Sequence, residues 1–130
     1  MTTFALLMTA MLFGGMTFFS FGFAPVLFKQ LPMDKVRLLL RDTFPYYYLA
    51  VIGMSAVATA AALAVSGQAT IVLAVILIAT IYARQILMPQ INVATDRDDQ
   101  TTFKRLHGLS VAIQLVQIGL AAWAVVLLSA

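Results

Sequence analysis

Four polar side chains on one apolar stretch near the C-terminus carry the clearest chemical signal in this sequence. His107, Ser110, Gln114 and Gln117 recur at spacings of three, four and three, which puts all of them on one face of a helix. Imidazole, hydroxyl and amide groups together give donors and acceptors but no catalytic set. Such a face either glues helices together through hydrogen bonds or lines a ligand pocket or polar pathway, and the spacing alone is compatible with both. Arg84 is the second candidate. Apolar sequence continues past it through Ile86, Leu87 and Met88, so its α-carbon is expected below the headgroups of a membrane, about one helical turn from the end of the apolar run. It either snorkels to the interface, pairs with the polar face, or binds an anion. Thr80, four residues earlier, shares its face.

Other chemistries find little support. The chain has no Cys, which removes disulfides, thiolate metal sites and cysteine nucleophiles. One His and no Glu argue against a zinc hydrolase. Asp96 and Asp98 form an acid-x-acid pair of the kind that holds divalent cations, but they fall in a solvated run, Asp96 to Gln100, where helix-capping acids belong. Met8, Met11, Met16 and Met54 lie on apolar runs, as packing residues do. The glycine loops of nucleotide binding are absent. Haem could use His107, but no second His offers bis-His ligation. No metal or cofactor is therefore expected, and no enzymatic activity.

The elements that position these residues follow from composition. Of 130 residues, 62% are hydrophobic and only 10% charged, where a soluble domain carries charge at about a quarter of its positions; mean hydropathy is +0.98. Thr3 to Phe28 and Phe44 to Ser66 carry no charge. Ala69 to Met88 carries only Arg84, and Phe103 to Ser129 carries Lys104, Arg105 and His107 in its first turns alone. Each run reaches the ~20 residues a helix needs to cross about 30 Å of hydrocarbon, and alternating strands for a barrel are absent. The expectation is an all-α integral membrane protein, one domain over residues 1–130, with a four-transmembrane-helix bundle spanning about 3–28, 44–66, 69–88 and 103–129. The first run has no basic residue before it and is followed by Lys29, which favours an uncleaved helix over a signal peptide.

All eight basic residues fall in Lys29–Thr43 and Arg84–Arg105. Their position between apolar runs is a membrane-topology pattern and not a nucleic-acid face. The positive-inside rule puts both charged loops in the cytoplasm and both termini outside. Trp123 then belongs to the outer aromatic belt and Tyr46, Tyr47 and Tyr48 to the inner one. Met33, Val36, Leu40 and Phe44 share a helical face, so the first loop holds either a short amphipathic helix on the membrane surface or an extension of the second span. Thr43 is placed to cap that span with Pro45 in its first turn, and Pro89 is placed to end or kink the third. Ala56, Ala60 and Ala64 form a small-residue row with Ser55 and Thr59 beside it, and Gly15 and Gly22 lie seven apart; such rows serve packing inside the bundle or a dimer face. The two halves are faintly alike: a span, a proline (Pro25, Pro89), a charged loop, a Thr-Phe pair and another span.

These residues also resemble a known family. Phe103, Leu106, His107 and Ser110 follow Pro89 and Asn92, and the first span holds Gly14-Gly15, Phe18-Phe19 and Ala24-Pro25. This pattern is similar to that of the transmembrane protein 205 family, whose bacterial members are membrane proteins of unknown function. In that family an Asn usually follows the Ser; Gln114 stands near that place here. The resemblance implies a four-helix membrane protein and does not imply a reaction; the expected location is the bacterial inner membrane. Three functional classes follow. The first is a non-enzymatic protein that binds a small ligand or lipid, or assists its movement, through a cytoplasm-facing polar seam of Arg84, His107, Ser110, Gln114 and Gln117. The second is an accessory subunit of a larger membrane complex or a homo-oligomer. The third is a haem- or metal-binding redox protein.

Overall fold

The computed structural model describes residues 2–129, apart from the side chain of Met33, and these residues are almost entirely helical. Four helices, α1 (Thr2–Gln30), α2 (Met33–Ala62), α3 (Gly67–Asp96) and α4 (Gln100–Ser129), are each long and apolar enough to cross a membrane. At 1.5 Å rise per residue each is about 45 Å long, well beyond the ~30 Å of hydrocarbon. The excess lies at the end that carries the charges.

The boundaries follow from local chemistry. Leu31 precedes Pro32, which disfavours helix at the preceding residue; Leu31 is extended, at φ −124° and ψ 150°, and α1 stops there. The Ser66 hydroxyl caps α3 by accepting from the Ala69 N–H at 3.2 Å. The Asp99 carboxylate accepts from the Thr102 N–H at 3.2 Å, after a turn in which Asp98 takes φ 54°, a conformation Asp tolerates better than most residues.

Several boundaries differ from the sequence reading. Of the two readings of the first charged segment, the extension of the second span is the one seen, and not a separate surface helix: α2 runs unbroken from Met33 with Pro45 inside it. Val36 is fully buried and Leu40 and Phe44 half-buried, so this face packs inward; the Met33 side chain lies outside the described residues. Thr43 is consequently a helix-interior residue and not a cap. Pro89 does not end α3, which continues to Asp96.

Both prolines of the first and third helices are absorbed in the same way. A π-helical turn occupies Phe18–Phe23 before Pro25 and another occupies Ala83–Leu87 before Pro89. The N–H of Ala24 reaches back five residues to Phe19, and that of Met88 reaches Ala83. One wider turn accommodates a ring that has no N–H to donate and would clash with the carbonyl four residues back.

The helices form a ring in which α1 packs on α2 and α4, and α3 packs on the same two. Buried positions follow a four–three rhythm: Ala5, Thr9, Leu12, Met16 on α1; Val51, Ser55, Ala58, Ala62 on α2; Ala69, Leu73, Ile76, Thr80 on α3; Gln117, Ala121, Ala124, Leu128 on α4. That is the seam of a left-handed bundle. The core sits in the uncharged half. In the charged half, α1 beyond Met16 and α4 before Gln117 bury no residue fully. Ala56, Ala60 and Ala64 face outward, so this small-residue row is not part of the bundle's packing.

Candidate functional site

The looser, charged half is where the polar side chains of α4 meet the other helices. From Gln114, Nε2 donates to Ser20 Oγ on α1 at 2.9 Å and to the Tyr47 hydroxyl on α2. One turn away, Ser110 Oγ lies 3.5 Å from the Tyr48 hydroxyl, a long contact. Tyr47 stacks on Phe19, with ring centroids 4.0 Å apart and planes 14° apart, and Tyr48 stacks on Phe44 at 5.7 Å. Aromatic rings thus fill space that aliphatic side chains fill in the other half. The wider turn at Phe18–Phe23 carries both Phe19 and Ser20 into this cluster.

Thr17, at the start of that turn, encloses its hydroxyl without a hydrogen-bond partner. Five other helical threonines, Thr9, Thr59, Thr70, Thr80 and Thr95, donate to the carbonyl four residues back. Thr17 and Ser20 are three residues apart and share a helical face. An enclosed hydroxyl without a partner calls for water or a ligand.

Gln117 belongs to a different arrangement. It is 3% exposed, and its Nε2 donates to the Ile76 carbonyl at 3.1 Å and to Thr80 Oγ1 at 2.7 Å. Thr80 in turn donates to the same carbonyl at 2.8 Å. This closed set ties α4 to α3 and forms the floor beneath the looser half.

The five residues that the sequence suggests therefore do not make one seam. Ser110 and Gln114 join the aromatic cluster, and Gln117 joins the α3 lock. His107 is exposed and stacks on Phe103 with centroids 5.7 Å apart. Arg84 is half-buried against α2 and donates from Nε to the Pro45 carbonyl at 3.4 Å; no hydrogen bond joins it to His107, Ser110 or Gln114 among the described residues. Sequence reasoning missed Ser20 and Thr17, which sit singly in an apolar run, and assigned Tyr47 and Tyr48 to a membrane belt. Only Tyr46, at 74% exposure, faces outward as a belt residue does.

At the charged end, outside the apolar runs, Arg41 and Asp96 form a bidentate ion pair, Nη1 to Oδ1 at 2.7 Å and Nη2 to Oδ2 at 3.1 Å, clasping α2 to α3. The hydrogen bond from Arg41 holds the Asp96 carboxyl below the usual range and raises Arg41. With the folded value depressed, the pair contributes above the ordinary carboxylate range and is lost as pH falls through that depressed value. It is fully ionised at neutral pH.

The match to a known family covers α1 from Leu7 through α2 and α3 to the start of α4: residues 7–100 fit the model for the domain of unknown function DUF4149. No curated protein and no solved structure matches the chain. A match over most of the chain, in a molecule with four membrane-length helices, settles its kinship. The chain belongs to the DUF4149 family of small bacterial membrane proteins, whose function is unknown.

Proposed function

We propose that this is a non-enzymatic membrane protein that holds a small neutral ligand, or the head of a lipid, among α1, α2 and α4 in its charged half. The observation that carries this reading is the enclosed, unpartnered Thr17 hydroxyl one turn from the Gln114–Ser20–Tyr47 cluster. Gln114 commits its amide nitrogen to two hydroxyl oxygens, which leaves its carbonyl oxygen and the hydroxyl hydrogens free to address a guest. Hydroxyls donate as well as accept, so the amide can turn over to suit it. Stacked rings supply flat apolar walls. With all basic residues at this end, the positive-inside rule makes it cytoplasmic, in the inner membrane, with both termini outside. The likeness to the transmembrane protein 205 family accords with this architecture.

Native mass spectrometry after gentle extraction tests the reading. The expected result is a chain that carries a small adduct, lost in Gln114→Leu and in Thr17→Val while both variants stay folded. A bare chain in every preparation contradicts it. A second reading, an accessory subunit or homo-oligomer, is favoured by the outward row Ala56, Ala60 and Ala64; recovery of the chain only within a larger complex, without a small adduct, would select that reading.

A further inference from the structure

Arg84 differs from the other seven basic residues. Those lie in Lys29–Arg41 and Arg97–Arg105 and are exposed in the loops or at the very edge of the apolar runs. Arg84 sits inside one, flanked by the buried Ala83 and Leu87, about 6 Å along the axis from Met88. A guanidinium does not deprotonate in a protein, so its charge must be met where it stands. Among the described residues no carboxylate meets it. The one ion pair among the described residues is Arg41 with Asp96, and all five acids lie in Asp34–Asp42 and Asp96–Asp99. Its one hydrogen bond among the described residues is the long Nε bond to the Pro45 carbonyl. That contact uses one of five N–H donors and holds the side chain against α2. The four donors on the two terminal nitrogens have no acceptor among the described residues.

A planar fork of donors at this depth matches a phosphate, which accepts two parallel bonds from it. A phospholipid brings the phosphate to this depth together with chains for the apolar surface beside it. The outer face of α3 around Arg84 exposes Ile78, Ile81, Tyr82 and Ile86, a surface that acyl chains cover. Lys35, Arg37 and Arg97, which form no ion pair among the described residues, lie at the same end and favour an acidic headgroup. We propose that Arg84, held at the α2–α3 junction by Pro45, binds the phosphate of an anionic phospholipid whose acyl chains lie along α3. This site is independent of the Gln114 cluster, to which Arg84 has no hydrogen bond.

The test is lipid titration read by native mass spectrometry, with phosphatidylglycerol, phosphatidylcholine and inorganic phosphate as separate probes. The wild-type chain should bind phosphatidylglycerol in preference to phosphatidylcholine. Arg84→Gln should weaken that binding about tenfold or more, the usual effect of losing hydrogen bonds to a charged group. Lys29→Gln, which removes the same net charge from an exposed residue outside this site, should leave it within about twofold. Should Arg84→Gln fail to fold, Arg84→Lys keeps the charge without the fork and should show an intermediate loss. Equal binding of both lipids, or equal binding by wild type and the Arg84 variants, overturns the proposal. Inorganic phosphate that binds at Arg84 and displaces the lipid overturns its lipid part. Loss of the small adduct in Gln114→Leu is a separate outcome and bears only on the seam.

Discussion

Gln114 and Gln117 lie three residues apart on α4, yet their partners give them different roles. A carbonyl only accepts, so the Ile76 oxygen fixes the orientation of the Gln117 amide, whereas the hydroxyls of Ser20 and Tyr47 leave that of Gln114 adjustable. Gln117→Ala should therefore lower stability by about 0.6–2 kcal/mol, the range for interhelical hydrogen bonds in membranes, as a drop in melting temperature in detergent. Arg84 and His107 present the opposite case. The first meets Pro45 and the second is exposed beside Phe103, so stability effects of Arg84→Ala and His107→Ala should add to within about 0.5 kcal/mol, as for sites without shared partners. A larger coupling would place them in one cluster. Periodicity exposed Ser110, Gln114 and Gln117 as inward residues. It misplaced His107 because the three–four–three rhythm drifts: at 3.6 residues per turn, His107 and Gln117 are separated by about 80° around the axis, enough to put one at the edge and the other in the core.

Each helix turns a particular face inward, and composition alone hides which one. On α2 the row Ser55, Ala58 and Ala62 is buried while Ala56, Ala60 and Ala64 face outward. Both rows are small and nearly apolar, so the sequence carries no amphipathic signal to separate them. Ala58→Leu should cost about 1–3 kcal/mol by overpacking, and Ala60→Leu should leave melting unchanged. If the outer row mates with another chain, Ala60→Leu will instead change the oligomeric mass measured by light scattering. The number of spans was legible because four apolar runs of bilayer length, with charge only at Arg84 and in the first turns of the last, admit little else. Their ends were not, since Pro45 read as a first-turn residue and Pro89 as an end or a kink, and both are carried within continuous helices. The π-helical turns before Pro25 and Pro89 have no sequence signature beyond the prolines themselves. They strengthen the likeness between the halves: Ser20 and Arg84 each stand five residues before the proline, within the wider turn, and each bonds to a neighbouring helix.

Across the whole molecule, charge and packing divide along the same line. The uncharged half is tight, built on alanine and sealed by the Gln117–Thr80 lock; the charged half is looser and lined with rings and hydroxyls. If the charged end is cytoplasmic, reporter fusions at Ala130 and at Gln68 should both register the outer compartment, and a cytoplasmic signal at either contradicts the topology. The proposed function requires that the α4 face around Gln114 look into a polar space entered from the charged end and closed below at Gln117. Because the chain lacks cysteine, single cysteines at positions 110, 114, 115 and 117 test it directly with a small, membrane-impermeant thiol reagent applied to each face of oriented vesicles. Thiols react as thiolates, so the rate reports access to water. Labelling is expected at 110 and 114 from the charged face, with protection at 117 and at the outward position 115, which lipid covers. Protection at 114 from both faces, or equal labelling at 114 and 117, would contradict it.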